Sequence, residues 1–403
     1  MSLKLKKVKN YKQWGWEAWV MKNDWVTLAA VPAIGGRIME YALGRSSLIY
    51  SNPDLFGTTV SPETGKNWPN FGGDKVWPAP QEAWKWPPPP NLDHGHYSAI
   101  IEHESDEAVI LLLQSPVETW GAPGIRIERR ITLKENSTKV FLKETLVNEG
   151  ENDVSWSIWD VSQQIVNHPG KENFDNFWTY FPVNVKSRYG ESGVYYTEAS
   201  EGWMGEVAPG VYGVQYNPDG QKIFSDSHEG WICFTDRQKQ LVMTKTFPNY
   251  HGKSYPDNEA RVAVYMNHKE LPYLEVEVMG PIIELAPDES TSFSIDWGMT
   301  QAHAPILDIN DIGVISHPLE ENNGSLKGEY GVFYEGSIYM VFRDMRGVML
   351  KKTLPHPVSP SKPVQINQAV KMDPDVRLIE VQVNSQDGHT LGVLDAMEIF
   401  PEK

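Results

Sequence analysis

The chain lacks most of the features that place a protein quickly. It has one cysteine in 403 residues, Cys233, which excludes an internal disulfide and any zinc cluster built on cysteine. In its context, WICF, that residue reads as a small buried apolar side chain rather than a nucleophile. No apolar run is long: AVILLL at 108–113 falls far short of a membrane-spanning segment. The opening MSLKLKKVKNYKQW carries basic residues but neither an apolar h-region nor a small-residue cleavage site, so a cytoplasmic address is expected. A basic surplus is missing too. The net charge of −17 speaks against nucleic acid, anionic membranes and strongly polyanionic substrates, all of which need a basic footprint. There is no phosphate-binding glycine loop. His94 and His96 stand two apart with no third ligand nearby, so no metal is expected, and no cofactor either.

Helical periodicity is also scarce, and strand-like text takes its place. VTLAAV (26–31), EAVILLLQS (107–115), IRIERRITL (125–133), KVFLKETLVN (139–148), RVAVYM (261–266), YLEVEVM (273–279) and SFSIDWGM (292–299) read as strands. Ile125, Ile127, Ile131 and Leu133 share one face of their strand, with Arg126, Glu128, Arg130 and Thr132 on the other. Turn clusters such as KENST, NEGEND and PDES separate the strands at hairpin-like intervals. The fold class is therefore all-β and antiparallel. A chain of this length calls for two domains, and the break falls near QAHAPILDIND. Residues 1–303 are expected to form the large unit and 304–403 a small β-sandwich of about a hundred residues.

The aromatic content is concentrated in an unexpected place. WPNFGGDKVWPAPQEAWKWPPPPNLDHGH (68–96) holds Trp68, Trp77, Trp84 and Trp86 among seven prolines. That proline density reads as an irregular segment. A loop spends large rings in this way when it packs them or offers them to a ligand.

Four stretches occur in an informative order: VPAIGGRIMEY (31–41), GGDKVWPAPQ, SWSIWDVSQQ (155–164) and LEVEVMGPIIELAPDES (274–290). Together they resemble the galactose mutarotase-like superfamily over roughly 25–300. The tail resembles an immunoglobulin-like addition. The resemblance implies a large antiparallel β-supersandwich with a sugar cleft on its concave side. It also implies an aldose 1-epimerase-like isomerase, in which a late-strand glutamate takes the proton of the anomeric hydroxyl while an acid protonates the ring oxygen. The glutamate matches Glu275 or Glu277, which point to one face of their strand; Glu277 is favoured because it lies nearer the Gly-Pro step. The family's acid, a histidine on a middle strand, has no counterpart here. Asp160 or Gln163 stands in that register, and His96 or His94 is the substitute, with His96 preferred.

Given such a cleft, the rings of Trp77, Trp84, Trp86 and Trp159 would stack on a small carbohydrate, a mono- or oligosaccharide. Asp74, Lys75, Gln81, Asp160 and Gln163 would hydrogen-bond its hydroxyls. Two plainer readings compete: rings that cap a sheet end as core, and WPPPPN as a polyproline II ligand for a partner. The rival functions are a non-catalytic carbohydrate-binding or sensing module, and a polysaccharide lyase or glycoside hydrolase on the same fold.

Overall fold

The structure is a computed structural model and describes residues 3–62, 68–168, 173–197 and 202–400. Alternation along the strands decides its architecture. In Ile125–Lys134 every second side chain is buried: Ile125, Ile127, Arg129, Ile131 and Leu133. Ala108–Gln114 and Val140–Asn148 pair with it antiparallel on its two sides. Extended outward, this gives a ten-stranded sheet whose middle holds Trp231–Asp236, Leu241–Thr246 and Ser290–Gln301, and whose edges are Met204–Ala208 and Ser98–Glu104.

A twelve-stranded sheet packs across it. Its centre runs Arg37–Leu43, Asp74–Ala79, Val154–Ile165, Tyr273–Met279, Val262–Met266 and Gln221–Ser225. The inner faces of both sheets meet in one apolar core, in which Val76, Val264, Val276 and Val278 lie with Ile127, Ile131, Leu142 and Ile295. The protein is all-β, a large antiparallel β-supersandwich, with helix only in short pieces. The tryptophan-rich segment departs from its expected irregularity: Asp74–Ala79 is a strand, paired with Val154–Ile165. Pro80 does not prevent this because it lies beyond the last pair at Ala79, and Pro78, opposite Ile158, is tolerated because the strand on the other side pairs only at Asp74.

Two centre strands, Asp74–Ala79 and Tyr273–Met279, are buried along their whole length. One face looks into the core. The other must also be covered, and what covers it defines the site described below.

The C-terminal segment forms two smaller antiparallel sheets with their own core of Leu326, Tyr330, Phe342, Ile379, Val381 and Val383. None of their strands joins either large sheet. They seat on the outer face of the ten-stranded sheet, where Ile306, Ile309, Val314 and Phe333 pack with Trp178, Tyr180, Trp231, Cys233 and Val242. Gly298 makes room for this contact, since a Cβ there would lie 2.6 Å from the Phe333 ring. Cys233 is buried in this layer, and burial pushes its thiol pKa up, which leaves it inert.

Candidate functional site

The outer face of the twelve-stranded sheet gathers the chemistry. Strand alternation sends Lys75 and Trp77, Trp159 and Gln163, and Tyr273, Glu275 and Glu277 to that side from three adjacent strands. Trp159 lies directly opposite Trp77 in one neighbour, and Gln163 opposite Glu275 in the other. Lys222 and Tyr265 come from the next two strands outward. A cavity of about 530 Å³ opens there, lined by Trp68, Asn70, Trp77, Gln81, Trp86, Trp159, Lys222, Tyr265, Asn267, Leu271, Tyr273 and Glu275. That volume suits a small ligand.

Two carboxylates stand at its base in different surroundings. Glu275 accepts hydrogen bonds from Lys75 Nζ and Gln163 Nε2, both at 2.9 Å. Burial alone would raise its pKa, but the Lys75 charge and the Gln163 bond outweigh it and hold the group below the usual carboxylate range. Glu277 accepts from Trp159 Nε1 at 2.9 Å and from Lys222 Nζ at 3.0 Å. Here burial wins, helped by the neighbouring Glu275 charge, and the pKa is raised. Its second oxygen is buried without a hydrogen-bond partner among the described residues. Lys75 is itself pushed down by burial. Lys222 also lies over the Trp159 ring, 4.7 Å from its centroid.

Asp93 fixes the aromatic floor. Its carboxylate, fully buried, accepts from Arg37 Nη2 at 2.7 Å, Trp77 Nε1 at 2.8 Å and Trp68 Nε1 at 3.1 Å, and pairs with His94 Nδ1 at 3.1 Å. Burial would raise this carboxyl too, but Arg37 and His94 bring it down to about 2. Trp77 meets Trp159 edge to face at 5.3 Å and Trp86 at 6.5 Å.

Four sequence expectations need correction. Asp74 and Asp160 do not face the cavity. Each is adjacent in its strand to a cavity-side residue, Lys75 and Trp159, so alternation turns it into the core. There Asp74 accepts from Ser162 Oγ at 2.7 Å and pairs with Arg129, which also holds Glu144 at 3.1 Å. Asp160 pairs with Lys245. Burial and the Asp74 charge push Asp160 up to about 8. Trp84 lies behind the floor: it is buried, donates Nε1 to the Pro78 carbonyl at 2.8 Å and packs edge-on against Trp77. His96 is exposed and does not line the cavity, while its neighbour His94 is buried against Asp93. By contrast Trp77, Gln81, Trp86 and Trp159 line it, and Lys75, Gln163 and Glu277 sit directly beneath.

Sequence reasoning passed over Lys222, Tyr265, Tyr273 and Asn267. Tyr265 and Tyr273 stood in recognised strands at positions sharing the parity of Ala263 and Glu275, and register alone would have found them. Lys222, in QKIFS, gave no signal. A further sign is backbone strain near Lys222: Asp257, Asn258 and Glu259 have successive φ values of 50°, 61° and 75°. Such conformations cost about 1–3 kcal/mol each in non-glycine residues and gather at functional sites.

No family model matches the chain, and no curated protein does. Among solved structures it is similar to the Slr1438 protein from Synechocystis sp. PCC 6803, with a TM-score of 0.50 and 13% identity over 70% of this chain and 96% of that one. A galactose mutarotase-like protein from Clostridium acetobutylicum matches with a TM-score of 0.48 and 12% identity, over 74% of this chain and 99% of that one. Another from Lactobacillus casei matches with 0.45 and 11%, over 70% and 99%. At such identities the likeness is one of fold.

Proposed function

We propose that this chain binds a small carbohydrate in the aromatic cavity and exchanges its anomers by proton transfer. The carrying observation is a carboxylate, Glu275, and an ammonium, Lys222, that line one tryptophan- and tyrosine-lined cavity. A base and an acid that face the same cavity are suited to opposite proton roles. In this reading Glu275, lining the cavity and ionised, takes the proton of the anomeric hydroxyl. Lys222, the cavity-lining cation, donates to the ring oxygen. Glu277, favoured from the sequence as the base, reaches the cavity through Lys222 and Trp159; its part is to position that ammonium. The ring opens, the aldehyde rotates and closure gives the other anomer. Each transfer contributes typically about 10²–10⁴ in rate.

One observation favours a second reading, a non-catalytic sugar-binding module: both carboxylates already hold a lysine. A thermal-shift panel of free sugars tests the binding shared by both readings, and anomer exchange by NMR separates them. We further propose that 1–303 and 304–403 are distinct domains, the second, immunoglobulin-like in kind, serving an accessory role in packing against the outer face of the large sandwich.

A further inference from the structure

Trp86 differs from the other rings of the cavity. Trp77 and Trp159 are 3% and 2% exposed, whereas Trp86 is 53% exposed, although all three line the same hollow. The rings step outward in order: Trp159 to Trp77 at 5.3 Å, then Trp77 to Trp86 at 6.5 Å, with Trp68 bracing Trp86 at 5.0 Å. Lys222 lies over Trp159 at the inner end of that series, and Glu275 is held by Lys75, which lies over Trp77, so both stand inward of Trp86. The outermost ring is also held in place. Lys85, just before it, has φ 61°, and the four prolines 87–90 after it fix the backbone. An indole displayed on a stiffened segment loses little freedom when a ligand covers it.

We infer that Trp86 forms an outer subsite and that the ligand is a short reducing oligosaccharide rather than a single sugar. The inference rests on the sugar-cleft reading given above. Its chemistry also sets the direction of the chain. Proton transfer at an anomeric centre requires a free reducing end beside Glu275 and Lys222. Every further unit is then attached through a non-anomeric hydroxyl and extends toward the mouth, where Trp86 presents its uncovered face to the next pyranose.

Calorimetric titration of the full chain tests this with glucose, galactose and mannose set against maltose, cellobiose, lactose and mannobiose. At least one disaccharide is expected to bind about three- to tenfold more tightly than its reducing-end monosaccharide, the affinity worth of one aromatic contact. Trp86→Ala should weaken the disaccharide more than the monosaccharide and so abolish that gain; Trp86→Phe should keep most of it. Equal affinity for mono- and disaccharides, or an equal loss for both in Trp86→Ala, would overturn the outer subsite while leaving the cleft reading intact. Failure of every sugar to bind would overturn the cleft reading and the subsite with it.

Discussion

Replacing Asp93 should loosen the whole aromatic floor. Its carboxylate collects four donors within 3.1 Å, and its partner Arg37 is as fully buried as it is. Among the described residues Arg37 keeps one other hydrogen bond, to the Gly72 carbonyl at 3.0 Å, and its Nε has no partner. Asp93→Ala therefore strands a guanidinium in the interior, which costs about 3–5 kcal/mol. Asp93→Asn keeps the shape and an acceptor but removes the charge, and should cost about 1.5–3 kcal/mol, the range for hydrogen bonds to charged groups. Differential scanning calorimetry should rank the melting temperatures wild type, Asn, Ala. Tryptophan emission of the native state should shift to the red as the loosened floor admits water to Trp68 and Trp77, more in the Ala variant than in the Asn variant, which keeps one acceptor oxygen. The pH dependence has a definite sign. A carboxyl held at about 2 contributes stability above its unfolded value of about 3.9, lost as pH falls from there through about 2. The Asn variant should lack this acid-labile component. Asn melting with the wild type at neutral pH, with an unchanged emission spectrum, would refute the clamp.

Asp160, raised to about 8, binds its proton in the folded state where the unfolded chain does not, so it makes stability fall as pH rises from about 4 toward 8. Asp160→Asn resembles the protonated acid and should flatten that slope, with little loss near pH 6, in melting curves recorded across the range; an unchanged slope would count against the assignment. Trp84→Ala should cost about 3–5 kcal/mol of stability, as for a buried large ring, yet leave sugar affinity nearly unchanged at temperatures where the variant is folded. A selective loss of affinity without destabilisation would place Trp84 in the cavity after all.

The fold was legible because its strands alternate plainly. IRIERRITL separates its two faces residue by residue, and Glu275 and Glu277 do share one. Alternation also decides which site residues face the cavity. Asp74 and Lys75, like Trp159 and Asp160, are neighbours in a strand and so face opposite ways, and the prolines near Trp77 hide the first of these strands in loop-like text. Nearness in sequence points to His96, but the chain turns between His94 and Tyr97 so that His94 and Tyr97 are buried and His96 is left outside. Lys222 could not be found at all. Its place beside Glu277 depends on the pairing of Gln221–Ser225 with Val262–Met266 and of that strand with Tyr273–Met279, a crossover that no local pattern reveals.

The central claim is proton transfer at the base of the cavity, and magnetisation exchange between the two anomeric proton resonances of a bound-and-released sugar tests it most directly. With substoichiometric protein and the tightest-binding sugar of the panel, the exchange rate should exceed that of buffer alone. In Glu275→Gln it should fall at least about a hundredfold, the lower end for a lost general base, while titration still shows binding. Wild-type protein that binds the sugar without accelerating exchange, or a Glu275→Gln variant that exchanges it as fast as wild type, would contradict the account.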